Sequence, residues 1–137
     1  MDQTQIFVHE DEVRDNEVDI QGIVNNANYF IYMAHARHKH LKQLGVDFSE
    51  FHRSGYDFLL VRSEIDFKSS LRDGDQYLVT SKIEPLGRIR IVFAQEVIRK
   101  ADNKIVATAQ NIGTCVATAT GRPCFPDSLK KAFGFTN

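Results

Sequence analysis

The sequence has little of several features that would narrow its function. It contains two cysteines, Cys115 and Cys124, whose spacing is not that of metal ligands, so reduced thiols are the simplest interpretation. The 17 basic and 18 acidic residues nearly balance, and the basic excess typical of nucleic-acid binding is missing. No apolar run approaches the roughly 20 residues that a membrane span requires. We therefore expect no nucleic-acid partner and no membrane span.

The sequence also lacks internal boundaries. No repeat, low-complexity run or Pro/Gly-rich linker divides the 137 residues, a length that suits one domain with a substantial core. The first fifteen residues are acidic and have no apolar stretch of the kind found in signal peptides. These observations predict a single domain over residues 1–137, located in the cytoplasm.

One long helix is predicted in a chain that otherwise has the pattern of strands. From about residue 27 to 44, apolar residues recur at three- and four-residue steps, between an asparagine N-cap at 25 or 26 and Gly45. Segments rich in β-branched and aromatic residues predict strands at 4–14, 56–68, 76–83, 89–99 and 105–120, with a short helix at 128–133. Short turns favour antiparallel neighbours, and the apolar face of a helix covers one side of such a sheet. The pattern predicts an α+β fold whose sheet also favours dimerisation.

A carboxylate, a glycine and two asparagines precede the predicted helix in the stretch VDIQGIVNNANYF, residues 18–30. A helix N-terminus carries unpaired backbone N–H groups and a partial positive charge, so it can stabilise an oxyanion that develops during a reaction. Gly22 permits a tight turn or the close approach of a ligand. Asp19 is open to two interpretations: a turn residue that satisfies loop N–H groups, or a catalytic carboxylate beside the helix end.

The segment VRDNEVDIQGIVNNANYFIYMAHAR, residues 13–37, resembles the 4-hydroxybenzoyl-CoA thioesterase-like branch of the hotdog-fold acyl-CoA thioesterases. The family pattern is an Asp after a strand, then Gly and Val, and an aromatic-led helix that ends near an Arg. These places are occupied by Asp19, Gly22, Val24, Tyr29 and Arg37. The turn RDGD at 72–75 and the ending ATGRPCFP at 119–126 are also similar to the family, so the likeness extends from about residue 5 to 130.

The resemblance implies a hotdog fold, in which a long antiparallel β-sheet wraps around one central α-helix, and it implies hydrolysis of an acyl-CoA thioester. Asp19 is then the catalytic base or nucleophile, and the backbone N–H of Asn26 polarises the thioester carbonyl. Gly22 and Asn25 belong to the substrate-binding loop. Tyr29, with its neighbour Phe30, either lines the acyl pocket or packs in the core.

Three further residues are candidates for the site. Glu64, on a predicted strand, either orients water or the carbonyl across a dimer or is an ordinary surface residue. Arg88 and Arg90 are two apart at a strand start and face the same side, which suits the phosphates of CoA, although a solvated edge is the alternative. Two helix histidines, His35 and His38, have metal spacing, but no carboxylate or Cys completes a set nearby, so we expect no metal and no cofactor.

A second likeness leaves the acyl carrier open. Plant and bacterial acyl-ACP thioesterases carry Asp-x-Asn-x-His-Val-Asn-Asn, and residues 24–26 match its end, whereas Gln21 and Ile23 stand in place of the Asn and His. We predict an acyl-CoA thioesterase that forms a homodimer or a dimer of dimers, with the active site between protomers. The alternatives are an acyl-ACP thioesterase and a non-catalytic acyl-CoA-binding domain.

Overall fold

A computed structural model describes residues 6–135 of the chain. The five strands are β1 (Phe7–Glu12), β2 (Tyr56–Phe67), β3 (Gln76–Leu86), β4 (Arg90–Arg99) and β5 (Lys104–Ala117). The three α-helices are α1 (Asn26–Gln43), α2 (Phe48–Arg53) and α3 (Asp127–Phe133). The first predicted strand began at Thr4, and its residues Thr4 and Gln5 lie outside the described part of the chain. Within residues 6–135 no helix has the length and low polarity of a membrane span.

All five strands belong to one antiparallel sheet with the order β1-β3-β4-β5-β2. The strands β3, β4 and β5 follow one another as hairpins, as the short turns predict. The expectation that consecutive strands are neighbours is wrong for β2 and β3, because β2 pairs with β5 at the far side of the sheet. Residues 68–75 provide the crossing, and β2 becomes an edge strand. The α+β architecture of a long antiparallel sheet around one principal helix is confirmed.

Helix α1 packs against β1, β3 and β4 on one face of the sheet. The buried side of α1 includes Met33 and Ala36. These residues belong to the same hydrophobic core cluster as Val79 of β3 and Val97 of β4. The helical pattern in the sequence is therefore confirmed, with bounds shifted by one residue at each end. Phe30 is one of the apolar residues at helical spacing, but it is not buried against the sheet, since 46% of its surface is exposed.

A buried polar group ties α1 to the middle of the sheet. The Arg37 guanidinium lies 6.0 Å from the centre of the Phe93 ring and donates to Gln95 Oε1 at 3.1 Å. The same oxygen accepts from Asn111 Nδ2 at 2.8 Å, and Gln95 Nε2 donates to the Met33 carbonyl at 3.1 Å. Burial lowers the pKa of Arg37, which still lies far above neutrality as for any arginine. The network fixes the register of α1 on β4 and β5.

The C-terminal part of the chain folds back along the end of β5. Strand β5 stops at Ala117, short of the predicted Thr120, because Gly121 N donates to the Ala117 carbonyl at 2.8 Å and turns the chain. Cys124 N then donates to the Cys115 carbonyl at 2.9 Å, which aligns the returning segment with the strand. Helix α3 follows and covers a second apolar cluster through Leu129 and Phe133.

His40, near the end of α1, is buried in a way that makes stability depend on pH. Its ring stacks on Phe7 with centres 4.9 Å apart, and its Nδ1 lies 3.0 Å from Ser81 Oγ. Burial lowers the pKa of His40 from 6.5 to about 4. Between these two pH values the unfolded chain binds a proton that the folded protein does not, so the folded state loses stability as pH falls through this range.

We expect this histidine to lower the free energy of unfolding by on the order of 3 kcal/mol as the pH falls from 6.5 to 4. Urea unfolding at several pH values in this window measures the loss, and His40→Gln should reduce it because no group is left to take up the proton. The control is His38→Gln, which removes an exposed histidine from the same helix and should keep the wild-type pH dependence. Equal pH dependence in His40→Gln and wild type would assign the loss to other groups.

Strand β2 presents apolar side chains at the edge of the sheet. Its hydrogen-bonding edge opposite β5 has no neighbouring strand within residues 6–135. Four of its large apolar residues are each more than 40% exposed, namely Leu59, Leu60, Val61 and Phe67. An unpaired edge strand that exposes several large apolar side chains is an arrangement that proteins usually protect or cover.

Candidate active site

The loop that carries Asp19 is a tight, internally bonded turn. An antiparallel bridge between Val18 and Val24 closes it, and Gly22 N donates to the Asp19 carbonyl at 2.9 Å. Gly22 has a φ of +79°, a left-handed conformation that a side chain would strain. The Asp19 Oδ1 atom accepts from Gln21 N at 2.8 Å, which orients the carboxylate.

Two backbone contacts hold this loop against the start of α1. Val24 N donates to the Leu71 carbonyl at 2.8 Å, on the segment that links β2 to β3. Asn25 N donates to the Glu17 carbonyl at 3.2 Å, so the strand-like residues on either side of the loop run side by side. Asp19 therefore emerges from a fixed loop next to the residues that lead directly into the helix.

The first turn of α1 has the donors expected of a helix N-terminus. Asn25 is the N-cap, and its Oδ1 accepts from Ala27 N at 2.9 Å. Its carbonyl accepts from Asn28 N at 2.9 Å. The N–H of Asn26 has no hydrogen-bond acceptor among residues 6–135. The helix end thus presents one unengaged N–H together with its partial positive charge, which is the arrangement that stabilises a developing oxyanion.

Two carboxylates lie near this helix start, and their hydrogen bonds distinguish them. Glu17 Oε1 accepts from Arg14 N at 2.9 Å and from the Tyr32 hydroxyl at 2.8 Å. Burial, followed by the Glu17 carboxylate, raises the pKa of Tyr32 well above its usual range, so this hydroxyl remains a donor. Asp19, in contrast, has no partner for Oδ2 among the described residues. Glu17 is therefore engaged by groups of the protein itself, whereas Asp19 keeps one carboxylate oxygen without a partner among residues 6–135.

The aromatic residues at the start of α1 divide between core and surface. Tyr29 is only 2% exposed, its hydroxyl accepts from Leu71 N at 3.3 Å, and its ring centre lies 5.7 Å from that of Phe67. Within the protomer, Tyr29 thus braces the loop before β3. Phe30 and Phe67 are the exposed aromatic side chains in this region.

Glu64 is not brought together with Asp19 in the protomer. Its neighbour Ile65 packs against the core cluster under α1, so Glu64 points to the opposite face of the sheet because side chains alternate along a strand. There Glu64 Oε1 lies 3.2 Å from Arg62 Nε in an exposed ion pair. Within one chain Glu64 therefore lies away from Asp19, and a role for it across a dimer stays a prediction.

Arg88 and Arg90 lie together at the turn between β3 and β4, where they line a cavity of about 360 Å³. Helix α3 contributes Lys130 to the same cavity, and Phe125 and Phe135 form part of its wall. The sequence pattern missed these three residues, although the basic pair in SLKKAF, residues 128–133, was a signal that could have drawn attention to α3.

The two parts of the predicted site lie at opposite ends of the sheet. Arg99, at the end of β4, donates to the Ser70 carbonyl at 2.6 Å, next to the segment that anchors the Asp19 loop. Arg90 begins the same strand, nine residues earlier, a separation of roughly 30 Å along an extended chain. Within one chain, Asp19 and the paired arginines are therefore placed near opposite ends of β4, and the fold of the single chain does not bring the two parts of the predicted site together.

Other reactive groups do not form a site of their own. Burial raises the pKa of the Cys115 thiol to about 12, which makes it a poor nucleophile at neutral pH. Both cysteines are free thiols. In the described part of the chain no three side chains of the His, Cys, Asp and Glu types are grouped closely enough to hold a metal ion.

A long antiparallel sheet around one principal helix is the architecture of the hotdog class of proteins. The sequence model of the thioesterase-like superfamily matches residues 13–133, and the chain belongs to this superfamily. Structures of the class superimpose closely on it. Slr0204 of Synechocystis, a 1,4-dihydroxy-2-naphthoyl-CoA thioesterase, has a TM-score of 0.89 at 21% identity over 95% of this chain and 96% of its own.

The names of other similar proteins mention two different acyl carriers, acyl carrier protein and CoA. The chloroplast acyl-acyl carrier protein thioesterase ATL3 of Arabidopsis thaliana is 32% identical over 89% of this chain. YneP of Bacillus subtilis, provisionally named an acyl-CoA thioesterase, is 32% identical over 89% of this chain and 86% of its own length. SAV2348 of Staphylococcus aureus, solved in complex with CoA, has a TM-score of 0.88 at 20% identity, covering 96% of this chain and 83% of its own. The chain spans 64% and 65% of the length of the two plant relatives it matches.

Proposed function

We propose that the protein hydrolyses the thioester of an acyl-CoA to the free acid and CoA. The observation that carries this proposal is that Asp19 Oδ2 and the Asn26 N–H, at either side of one short bonded loop, both lack a hydrogen-bond partner among residues 6–135. The carboxylate acts on water or on the carbonyl carbon. The N–H and the helix dipole stabilise the negative charge that develops on the carbonyl oxygen.

The reaction balances along either of two routes. In the first, Asp19 removes a proton from water, the hydroxide forms a bond to the carbonyl carbon, and the C–S bond breaks to release the CoA thiolate, which is protonated. In the second, an Asp19 oxygen attacks the carbon, the thiolate leaves, and water hydrolyses the resulting anhydride. Both routes place the oxyanion at the Asn26 N–H. No metal or redox cofactor takes part in either.

The proposed active unit is a homodimer joined through β2. A two-fold axis pairs β2 with its copy in antiparallel orientation and covers the exposed Leu59, Leu60 and Val61. In such a pair the Arg90 end of one sheet lies beside the Asp19 end of the other, because Leu59 is level with Arg90 in the sheet and the Phe67 ring packs at a tilt against Tyr29. One chain then supplies the carboxylate and the other supplies the guanidinium groups for the CoA phosphates.

Two alternatives compete with acyl-CoA hydrolysis. The plant relatives act on acyl carrier protein, as their names state, and the first alternative is the same carrier here. The second is a non-catalytic domain that binds acyl-CoA without turnover. The CoA held by SAV2348, a structural neighbour with the same fold, supports CoA as the carrier, as does the pair Arg88 and Arg90.

A panel of thioesters tests the proposed function directly. Purified wild-type protein is assayed for thiol release from aromatic and aliphatic acyl-CoAs of several lengths, and from the matching acyl-ACPs. We expect turnover of several acyl-CoAs. Turnover of acyl-ACP alone would reassign the carrier, and binding of acyl-CoA without release of CoA would support the non-catalytic alternative.

A further inference from the structure

Arg72, on the segment that links β2 to β3, lies against the loop that carries Asp19. Its backbone forms an antiparallel bridge with Ile23, on the returning side of that loop. Its Nη1 atom lies 3.8 Å from the position that a Cβ on Gly22 would occupy. Gly22 N donates to the Asp19 carbonyl at 2.9 Å, so these two residues close one turn and their Cα atoms lie within about 7 Å of each other. The guanidinium is thus held close to the candidate catalytic carboxylate.

The positive charge of Arg72 has no partner in the protein. Its guanidinium forms neither a hydrogen bond nor an ion pair within 4 Å to another group among residues 6–135. The other arginines of this region are engaged, since Arg14 lies 3.4 Å from Glu17 and Arg99 lies 2.9 Å from Asp102. An exposed cation that stays apart from nearby carboxylates keeps its hydrogen-bond donors for a ligand.

The proposed reaction develops negative charge on two atoms of the thioester. The Asn26 N–H and the helix dipole stabilise the charge on the carbonyl oxygen. The sulfur becomes a thiolate when the C–S bond breaks, and neither this N–H nor the Asp19 carboxylate can stabilise it. The Arg72 and Asp19 side chains form no ion pair, so a substrate atom fits between the group that acts on the carbonyl carbon and a free cation.

We propose that Arg72 is a catalytic residue of thioester hydrolysis, whose guanidinium donates hydrogen bonds to the sulfur as it leaves. The inference rests on the proposed function and adds a group to its mechanism. The electron pair of the C–S bond moves onto sulfur, and the guanidinium stabilises the thiolate without giving up a proton, because arginine stays protonated. The proton that the thiol finally carries comes from water or from protonated Asp19. CoA and acyl carrier protein present this sulfur on the same pantetheine arm, so the role applies to either carrier.

Three thioesters of one acyl group test this role: the CoA ester, the pantetheine ester and the thiophenyl ester. CoA and pantetheine leave as alkyl thiolates, whereas thiophenolate is a much more stable anion and needs less stabilisation. Arg72→Gln should lower kcat about 10²-fold for the CoA and pantetheine esters, as for the loss of one contact to a developing charge, and by no more than about threefold for the thiophenyl ester. Arg72→Lys keeps the charge and should restore kcat to within about tenfold of wild type.

The matched control is Lys68→Gln, which removes an exposed positive charge from the same segment and should keep kcat within about twofold of wild type. Thermal unfolding of each variant verifies the fold. The role is overturned if Arg72→Gln slows all three esters equally, as a distorted Asp19 loop would, or if it raises KM for the CoA ester alone, as a lost phosphate contact would. A wild type that hydrolyses none of the esters refutes the hydrolase and this role together, whereas hydrolysis without a leaving-group effect refutes the role alone.

Discussion

Replacing Asp19 with Asn is expected to lower kcat for acyl-CoA hydrolysis by about 10³-fold or more, the usual cost of removing a catalytic base or nucleophile. KM should change little, because the amide occupies the same volume and binds no part of the CoA. The Asn side-chain oxygen can still accept from Gln21 N, so the loop should keep its conformation. Initial rates with several acyl-CoAs, together with thermal unfolding, measure both expectations.

Two nearby acids serve as controls for this variant. Asp15→Asn removes an exposed carboxylate from the same segment and should leave kcat within twofold of wild type. Glu17→Gln weakens the contacts to Tyr32 and Arg14 and should lower the free energy of unfolding by about 1 kcal/mol with a much smaller effect on kcat. If Asp19→Asn keeps the wild-type kcat, the assigned mechanism is refuted, whatever the controls show.

Mixing two inactive variants is expected to restore activity if the site is shared between chains. Asp19→Asn lacks the carboxylate, and the double variant Arg88→Ala/Arg90→Ala lacks the phosphate contacts at low acyl-CoA concentration. Random pairing yields half heterodimers, each with one intact and one doubly defective site, so about a quarter of the wild-type activity should appear. Refolding the variants together, with activity measured below the KM of the arginine variant, gives the comparison.

The formation of mixed dimers has to be verified independently, by native mass spectrometry of differently tagged chains. The parents refolded alone provide the baseline. A mixture that contains heterodimers yet is no more active than the mean of its parents would mean that Asp19 and the arginines act within one chain. That result would contradict the roughly 30 Å that separate them along β4.

Local patterns in the sequence predict most of the elements but not their arrangement. The period of α1 and the turn residues around β3, β4 and β5 identified these elements because short-range forces set both. The neighbour of β2 depends on tertiary packing across the whole sheet, which periodicity does not encode. Helix α2 was overlooked because six residues give too short a pattern, although Asp47, whose Oδ1 accepts from Ser49 N at 2.9 Å, is a recognisable N-cap.

The candidate site shows the same division. The local cap signal left the N-cap open between Asn25 and Asn26, and the structure makes Asn25 the cap and Asn26 the first residue of α1. The structural role of Glu17 was invisible in the sequence, since its partner Tyr32 lies fifteen residues away. The sequence did not decide whether Tyr29 lines the acyl pocket or packs in the core, because an aromatic residue at the start of a helix gives the same pattern in both cases. In the structure Tyr29 is buried. Lys130 joined Arg88 only through the fold of the C-terminal segment.

The exposed edge of β2 has a consequence for how the protein behaves on dilution. If each site takes residues from two chains, turnover belongs to the assembled pair, and the catalytic unit disappears when the pair separates. Rates would then scale with the square of protein concentration well below the dissociation constant of the dimer, and linearly above it. A cell that held this chain at low abundance would set its flux through assembly as well as through the amount of substrate.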